Sequence, residues 1–519
     1  MATPGISKQS CKKNTPKELY HPLQHQQKVV DYFKTSPHKG LLLFHELGSG
    51  KTCTAIYTAD NMLRNKLILR VFILSPGNLR KTWIDEYCTK CGLNNEYLAT
   101  KFTFITYNFS MGKYLPKFDF NNSLIIIDET HNFINSVKNK ASNIMTLYNK
   151  IKDSNCKILA LSGTPIYNNL EEFLILGELL KPGTFTTLDD ITNPSKLSGI
   201  ISYYPGSSSD FYPTVIIKDP IKILMTEEQL STFTSISRSE NFTRMRPPNQ
   251  YKYGKINPNY KKEYARYILA QKYIRSRKIS NFFYNDIDTP AVNDDEDDDE
   301  DDDEDDDEDD DDNKKLPDTL VKDGGWIDKN ITFQNFKLFT RFSPKFTYLI
   351  INIIRNLNSK HVVLTFFTTK SGVTLLQTIL ESCGISALVY TGKLNDSARE
   401  RVLTQFNNVN NRYGQHVKVL LLSEAGIEGI SVKEAQHFHI LESSLIHNKT
   451  KQGIGRVVRF KSHINMPIQK RVVNIWRYWS VTDKVSDNDQ GVDYLLYKKG
   501  VEKNKVIQDF FEILKTNTI

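Results

Sequence analysis

The sequence has no long apolar run. Its longest aliphatic stretches, Leu41-Leu42-Leu43 and Leu124-Ile125-Ile126-Ile127, fall far short of the ~20 residues that cross a bilayer, so no membrane partner is expected. The first twenty residues are polar and hold no apolar signal core, which argues against secretion. Cysteine is scarce. Cys11, Cys53, Cys88, Cys91, Cys156 and Cys383 are too scattered for a disulfide framework in 519 residues. A reducing, intracellular location is the expectation. Cys88 and Cys91 are the one close pair, but no second Cys or His pair accompanies them to complete a zinc site. Two ordinary thiols are expected there. No internal repeat is visible.

Negative charge is also scarce, except in one place. Lys and Arg number 68 and Asp and Glu 60, for a net charge of +8. Nineteen of those acids are consecutive, Asp294 to Asp312. Without them the balance is 68 against 41, a net +27, which calls for a polyanionic partner. The run cannot pack a core, because its charges repel and nothing apolar offsets the ordering entropy. It reads as a disordered, solvated linker. A sharper reading is that it mimics phosphate and competes for a basic segment. Deleting residues 294–312 would then tighten nucleic-acid binding at low salt.

On either side of the run the chain has the same grammar. Before it, Gly40–Phe44, Val71–Leu74, Leu124–Ile127 and Lys157–Leu161 read as buried strands. After it, His361–Leu364, Ala387–Tyr390, Val417–Leu422 and His437–Leu441 read the same way. Continuous apolar strands alternating with helical stretches indicate parallel sheets covered on both faces. Two α/β lobes with a cleft between them are predicted.

The first strand runs into His45-Glu46-Leu47-Gly48-Ser49-Gly50-Lys51-Thr52. Gly48, Ser49 and Gly50 let backbone amides curl around phosphate oxygens at a helix N-terminus. Lys51 can reach the outer phosphates and Thr52 can hold Mg²⁺. The full phosphate-loop pattern would put glycine where His45 stands. Asp128 and Glu129 follow Leu124–Ile127, at the C-terminal end of a buried strand. Asp128 suits Mg²⁺ through water; Glu129 suits the polarisation of water attacking the γ-phosphate. Arg456 and Arg459 lie three apart and would share one face of a helix, with Gln452 a turn earlier. Such arginines would stabilise charge on a transferring phosphoryl group. Gly453 and Gly455 in that helix ask for a reason.

The order of these motifs resembles helicase superfamily 2. Asp128-Glu129-Thr130-His131 resembles its Asp-Glu-x-His box, with Thr130 in place of the usual alanine. Ser162-Gly163-Thr164-Pro165 resembles motif III. Leu23-Gln24-His25-Gln26 resembles its adenine-reading segment, with Gln26 on the base edge. The stretch from Val71 to Trp83, including Pro76, resembles motif Ia, and Ile105-Thr106-Tyr107 motif Ib. Trp83 suits a core anchor equally well. Leu364 to Phe367 resembles motif IV, Tyr390-Thr391-Gly392 motif IVa, Ser423 to Ser431 motif V and Gln452 to Arg459 motif VI. The resemblance spans roughly residues 20–480 and implies two RecA-like lobes that bind ATP and Mg²⁺. It implies that Gly429 lies near the nucleotide and that Pro76, Thr106, Phe366, Gly392 and Ser423 line the nucleic-acid path. Ser162 to Phe173 also resembles the Swi/Snf-type translocases. Gly455 to His463, Arg471 to Ile475 and Ile200 to Pro205 resemble the nucleoside triphosphatase and early-transcription-factor ATPases of poxviruses.

The predicted order is an N-terminal tail (1–20), an ATP-binding RecA-like lobe (21–220), a basic helical insertion (221–293), the acidic tract (294–315), a second RecA-like lobe (316–485) and a helical extension (486–519). Residues 238–281 hold 12 Lys and Arg against Glu240 and Glu263, with Phe242 and several tyrosines interleaved. They suit nucleic-acid contact or a packed helix with a basic face. The leading expectation is an ATP-driven helicase or translocase acting on DNA or RNA. The alternative is a transcription-complex ATPase that translocates without unwinding, with viral RNA polymerase or transcription factors as partners. If the chain is viral, the host cytoplasm or the virion is its expected place.

Overall fold

The computed structural model describes residues 21–46, 49–76, 80–90, 100–106, 115, 118–139, 142–166, 169–206, 211–242, 251–252, 255–256, 273–283, 340–368, 371–427, 430–444, 447–482 and 491–519. The acidic tract, Gly48, Gly429, Cys91 and most of the basic segment lie outside them. The chain forms two compact units: Met1–Ser209 with Glu502–Ile519, and Asp210–Val501. No helix among the described residues is long and apolar enough to cross a membrane.

The first unit is built on a parallel sheet of β1 (Gly40–His45), β2 (Arg70–Ser75), β3 (Phe102–Thr106), β4 (Ser123–Ile127), β5 (Lys157–Ser162) and β6 (Ile201–Tyr204). Their spatial order is β3-β2-β4-β5-β1-β6. Successive side chains on a strand face opposite ways, so a sheet buried on both faces needs apolar residues at every position. Leu42, Phe44, Phe72, Leu74, Ile125 and Ile127 join one core with the end of the C-terminal helix, Phe510, Phe511 and Leu514. Their neighbours Leu41, Leu43, Val71, Ile73, Leu124 and Ile126 join the other core, with Val29, Phe33, Ile56 and Trp83.

The second unit carries β7 (Thr214–Ile217), β8 (Ile221–Leu224), β11 (Lys360–Leu364), β12 (Ala387–Tyr390), β13 (Val419–Leu422), β14 (Ala435–Ile440) and β15 (Val472–Val481). A separate two-residue ladder pairs β9 (Tyr251–Lys252) with β10 (Lys255–Ile256). The large sheet runs β12-β13-β11-β14-β15-β7, with β8 also on β15 and every pairing parallel. Two expected boundaries move. The sequence pattern puts residues 214–217 in the first lobe and 221–224 in a helical insertion. Both are strands on β15, whose ten residues would otherwise expose a long unpaired edge. The helix Val492–Thr516 starts in the second unit and ends in the first, rather than forming a separate extension. Cys88 is disulfide-bonded, where a free thiol was expected.

A chain of polar rings is buried in the second sheet. Asn352 Nδ2 donates to the Tyr478 hydroxyl (2.8 Å), which lies 2.9 Å from His439 Nδ1. His439 Nε2 lies 3.0 Å from His361 Nδ1, and His361 Nε2 lies 3.1 Å from the Asn356 carbonyl. With one N–H per ring every contact pairs a donor with an acceptor. An added proton sets donor against donor. Burial pushes His361 down to about 3, helped by His437, and His437 itself down to about 4. The unfolded chain takes up these protons near pH 6.5. The stability from keeping the rings neutral is therefore complete above about pH 6.5 and drains as pH falls toward the folded values. The melting temperature should fall between pH 7 and pH 5. A flat thermal-unfolding profile over that interval would count against this account.

Candidate active site

The phosphate loop leaves β1 and enters the helix Lys51–Arg64 at Gly50, whose φ is 78°. A side chain there would be strained and would also strike Gln26, whose Nε2 lies 2.6 Å from the Cβ position. The helix presents its first N–H groups and its positive end to this loop. Lys51 Nζ folds back and donates to the carbonyls of His45 (2.7 Å) and Glu46 (3.3 Å). Thr52 is half-buried in the first turn, and Ser49 is buried beside Gly50.

Gln26 is not placed as an adenine reader in this structure. It is 1% exposed, its Oε1 accepts the Leu23 N–H (2.9 Å), and its Nε2 donates to the Gly50 carbonyl (3.2 Å). The side chain braces the loop. His25 lies against the same loop, its Nε2 3.1 Å from the Ser49 carbonyl, and stacks on Tyr204 at 3.7 Å. His45, where glycine was expected, ties β1 to β6 through Ser202 Oγ at 2.9 Å. Burial, then the charges of Lys51 and His25, push it down to about 3, so it is neutral at pH 7.

Strand β5 lies between β1 and β4. The residues after β4 are therefore two strands from the phosphate loop, about 10 Å at ordinary spacing. Asp128 is held at three points. Its N–H donates to the Leu74 carbonyl of β2 (2.8 Å), Oδ1 accepts the Glu129 N–H (3.0 Å), and Oδ2 accepts the Trp83 indole N–H (2.7 Å). Burial and then the Glu129 charge raise its pKa, against the pull of Trp83 and Lys51. Such a carboxylate gains most from a cation. Glu129 caps the helix Thr130–Lys138 with φ 45°, a strained conformation of the kind that collects at functional sites. Its Oε2 lies 3.7 Å from His131 Nδ1, which lies 3.2 Å from Ser162 Oγ. Ser162 Oγ also accepts the Thr164 N–H at 3.0 Å. The Asp-Glu-Thr-His box and the Ser-Gly-Thr turn are thus linked. Thr130 explains its own presence: its hydroxyl lies 2.9 Å from the Ile127 carbonyl and 3.1 Å from that of Leu161, joining the ends of β4 and β5. Pro76 follows β2, and Thr106 ends β3 opposite Ser75. Both stand at the C-terminal rim of the sheet.

In the second unit the helix His447–Val457 follows β14 and carries Gln452 and Arg456. Gly453 packs on the sheet: a Cβ there would meet Phe438 at 3.2 Å and Leu364 at 3.4 Å. Arg459 does not share the helix face as predicted, because the helix ends at Val457. Its Nη1 donates to the Ile430 carbonyl (3.2 Å), within the segment Ser423 to Ser431. Arg456 is 3% exposed. Phe366 and Gly392 follow β11 and β12, with Gly392 exposed. Ser423, expected on the nucleic-acid path, is 2% exposed, and its Oγ accepts the Gly426 N–H of its own turn.

The SNF2-related domain family matches residues 25–196 and the helicase conserved C-terminal domain family residues 345–461. The chain is a superfamily 2 helicase-type ATPase. It is 27% identical to nucleoside triphosphatase I of Heliothis armigera entomopoxvirus, over 92% of this chain and 76% of that protein. It is 24% identical to an Acanthamoeba polyphaga mimivirus protein provisionally named an ATP-dependent RNA helicase, over 88% of this chain and 82% of that one. Among solved structures it is similar to the Pyrococcus furiosus Hef helicase domain, 16% identical, covering 88% of this chain and 95% of that chain, with a TM-score of 0.44.

Two features of this ATPase escaped sequence reasoning. Trp83 reaches Asp128 across 45 positions. Arg277, from the basic segment, sits 5.0 Å over the Phe366 ring and 5.3 Å over Phe367. Neither pairing has a spacing signal, since each joins elements that only the folded sheet brings together.

Proposed function

We propose that this ATPase uses Mg²⁺-bound ATP to drive movement along, or separation of, nucleic-acid strands in a large DNA virus. The observation that supports this best is the convergence of the phosphate loop, Asp128-Glu129 and Ser162-Gly163-Thr164 after neighbouring strands β1, β4 and β5. Ser49, Gly50 and Lys51 are assigned to the phosphates, and Thr52 with Asp128 to Mg²⁺. The half-buried carboxylate of Asp128 and the hydroxyl of Thr52 are oxygen donors of the kind Mg²⁺ takes. When bound, the metal neutralises phosphate charge. Glu129 takes the proton of the attacking water. Gln452, Arg456 and Arg459 are assigned to the transferring phosphoryl group. Viral relatives support the viral setting.

Phosphate release with single- and double-stranded DNA and RNA compared side by side tests this reading. At least one polynucleotide should raise turnover several-fold. Equal turnover with and without all four would overturn it.

A further inference from the structure

Trp83 is 2% exposed and packs in the core that contains Leu43, Ile56, Phe104 and Ile126. Packing alone asks for a large apolar ring there and makes no use of a polar atom. What such a ring would not supply is the N–H, which lies 2.7 Å from Asp128 Oδ2. The other oxygen of that carboxylate takes the Glu129 N–H at 3.0 Å. With a fixed donor on each oxygen, the plane of the carboxylate is set. The indole is a neutral donor with a single proton, so it orients the carboxylate without cancelling its charge. Its own position is fixed by the core, and it stands on the short helix Arg80–Asp85, close in sequence to the end of β2. That strand end also holds Asp128 from behind, through the Leu74 carbonyl.

We propose that Trp83 is a positioning residue for the catalytic Mg²⁺, fixing the Asp128 carboxylate through its indole N–H. The proposal rests on the assignment of Asp128 to Mg²⁺. It takes Trp83 out of the nucleic-acid path, and it gives the indole a role that a core anchor does not have.

The test measures binding of a fluorescent ADP analogue as Mg²⁺ is titrated, and its metal-free affinity, in the full chain. Trp83→Phe should raise the half-saturating Mg²⁺ concentration about 10–100-fold, the usual cost of losing an outer partner of a metal ligand. Metal-free nucleotide affinity should stay unchanged. Ile56→Val, which loosens the same core without touching Asp128, should shift neither. If Trp83→Phe does not fold, benzothienylalanine at position 83 keeps the ring shape and replaces the N–H by sulfur. Asp128→Asn separates the metal ligand from the residue that positions it. A shift in Asp128→Asn with wild-type Mg²⁺ dependence in the position 83 variants would overturn the role of Trp83 alone. No shift in Asp128→Asn would overturn the metal assignment, and the role of Trp83 with it.

Discussion

Glu129→Gln should lower ATP turnover about 10²–10⁴-fold, the range for losing a positioned general base. The substitution keeps the shape of the side chain and its place at the head of the helix Thr130–Lys138. The backbone strain at φ 45° is the same for both residues. What disappears is the carboxylate proposed to accept the proton of the attacking water, which faces His131 at 3.7 Å. The phosphate loop, Lys51 and the Trp83–Asp128 bond are untouched, so nucleotide binding should persist. Single-turnover phosphate release beside a nucleotide-binding titration separates the two effects. Wild-type release in a purified, folded variant would refute the assignment of the base.

Lys345→Met should destabilise the second unit by about 3–5 kcal/mol, the cost of leaving a buried charge without its partner. Lys345 and Asp493 are both fully buried, 2.7 Å apart. Lys345 Nζ also donates to Asn281 Oδ1 (3.0 Å) and the Leu441 carbonyl (3.1 Å). Asp493 accepts the N–H groups of Ser480 (3.0 Å) and Ser443 (3.3 Å). Removing the cation leaves the Asp493 carboxylate buried and partly served. Removing both charges, in Lys345→Met with Asp493→Leu, should cost less than the single change. The effect reaches the functional segments. Asn281 also donates to Glu442, whose carboxylate accepts the Thr365 hydroxyl (2.7 Å) and the Phe366 N–H (3.0 Å). Urea unfolding of the full chain measures the ranking. A single variant as stable as wild type would contradict it.

The strands that carry the site were legible because each is a short, continuous apolar run that gives way to a polar turn. That pattern has one stable use, a strand covered on both faces with a polar rim. Asp128 was legible for the same reason, since it follows such a run at once, and Lys51 because it closes the glycine loop that comes after another. Residues whose partners are distant in sequence were not. Strands β7 and β8 join β15 across more than 250 positions, and nothing in Thr214–Ile217 announces which sheet it completes. The position of Gln26 matches an adenine-reading motif, but its burial under Gly50 depends on the turn of the loop, which no motif shows. The spacing of Arg459 from Arg456 predicts one helix face, but the helix stops at Val457, and Val458 and Arg459 lead into the next turn. Spacing shows which residues could share a face; only the cap shows which do.

The most direct measurement is steady-state ATP hydrolysis by the purified chain with Mg²⁺, with and without a polynucleotide, beside Lys51→Ala. The account predicts hydrolysis that rises with the polynucleotide and vanishes in Lys51→Ala, while that variant keeps its melting temperature. Hydrolysis that ignores both the polynucleotide and the loss of the Lys51 amine would contradict it.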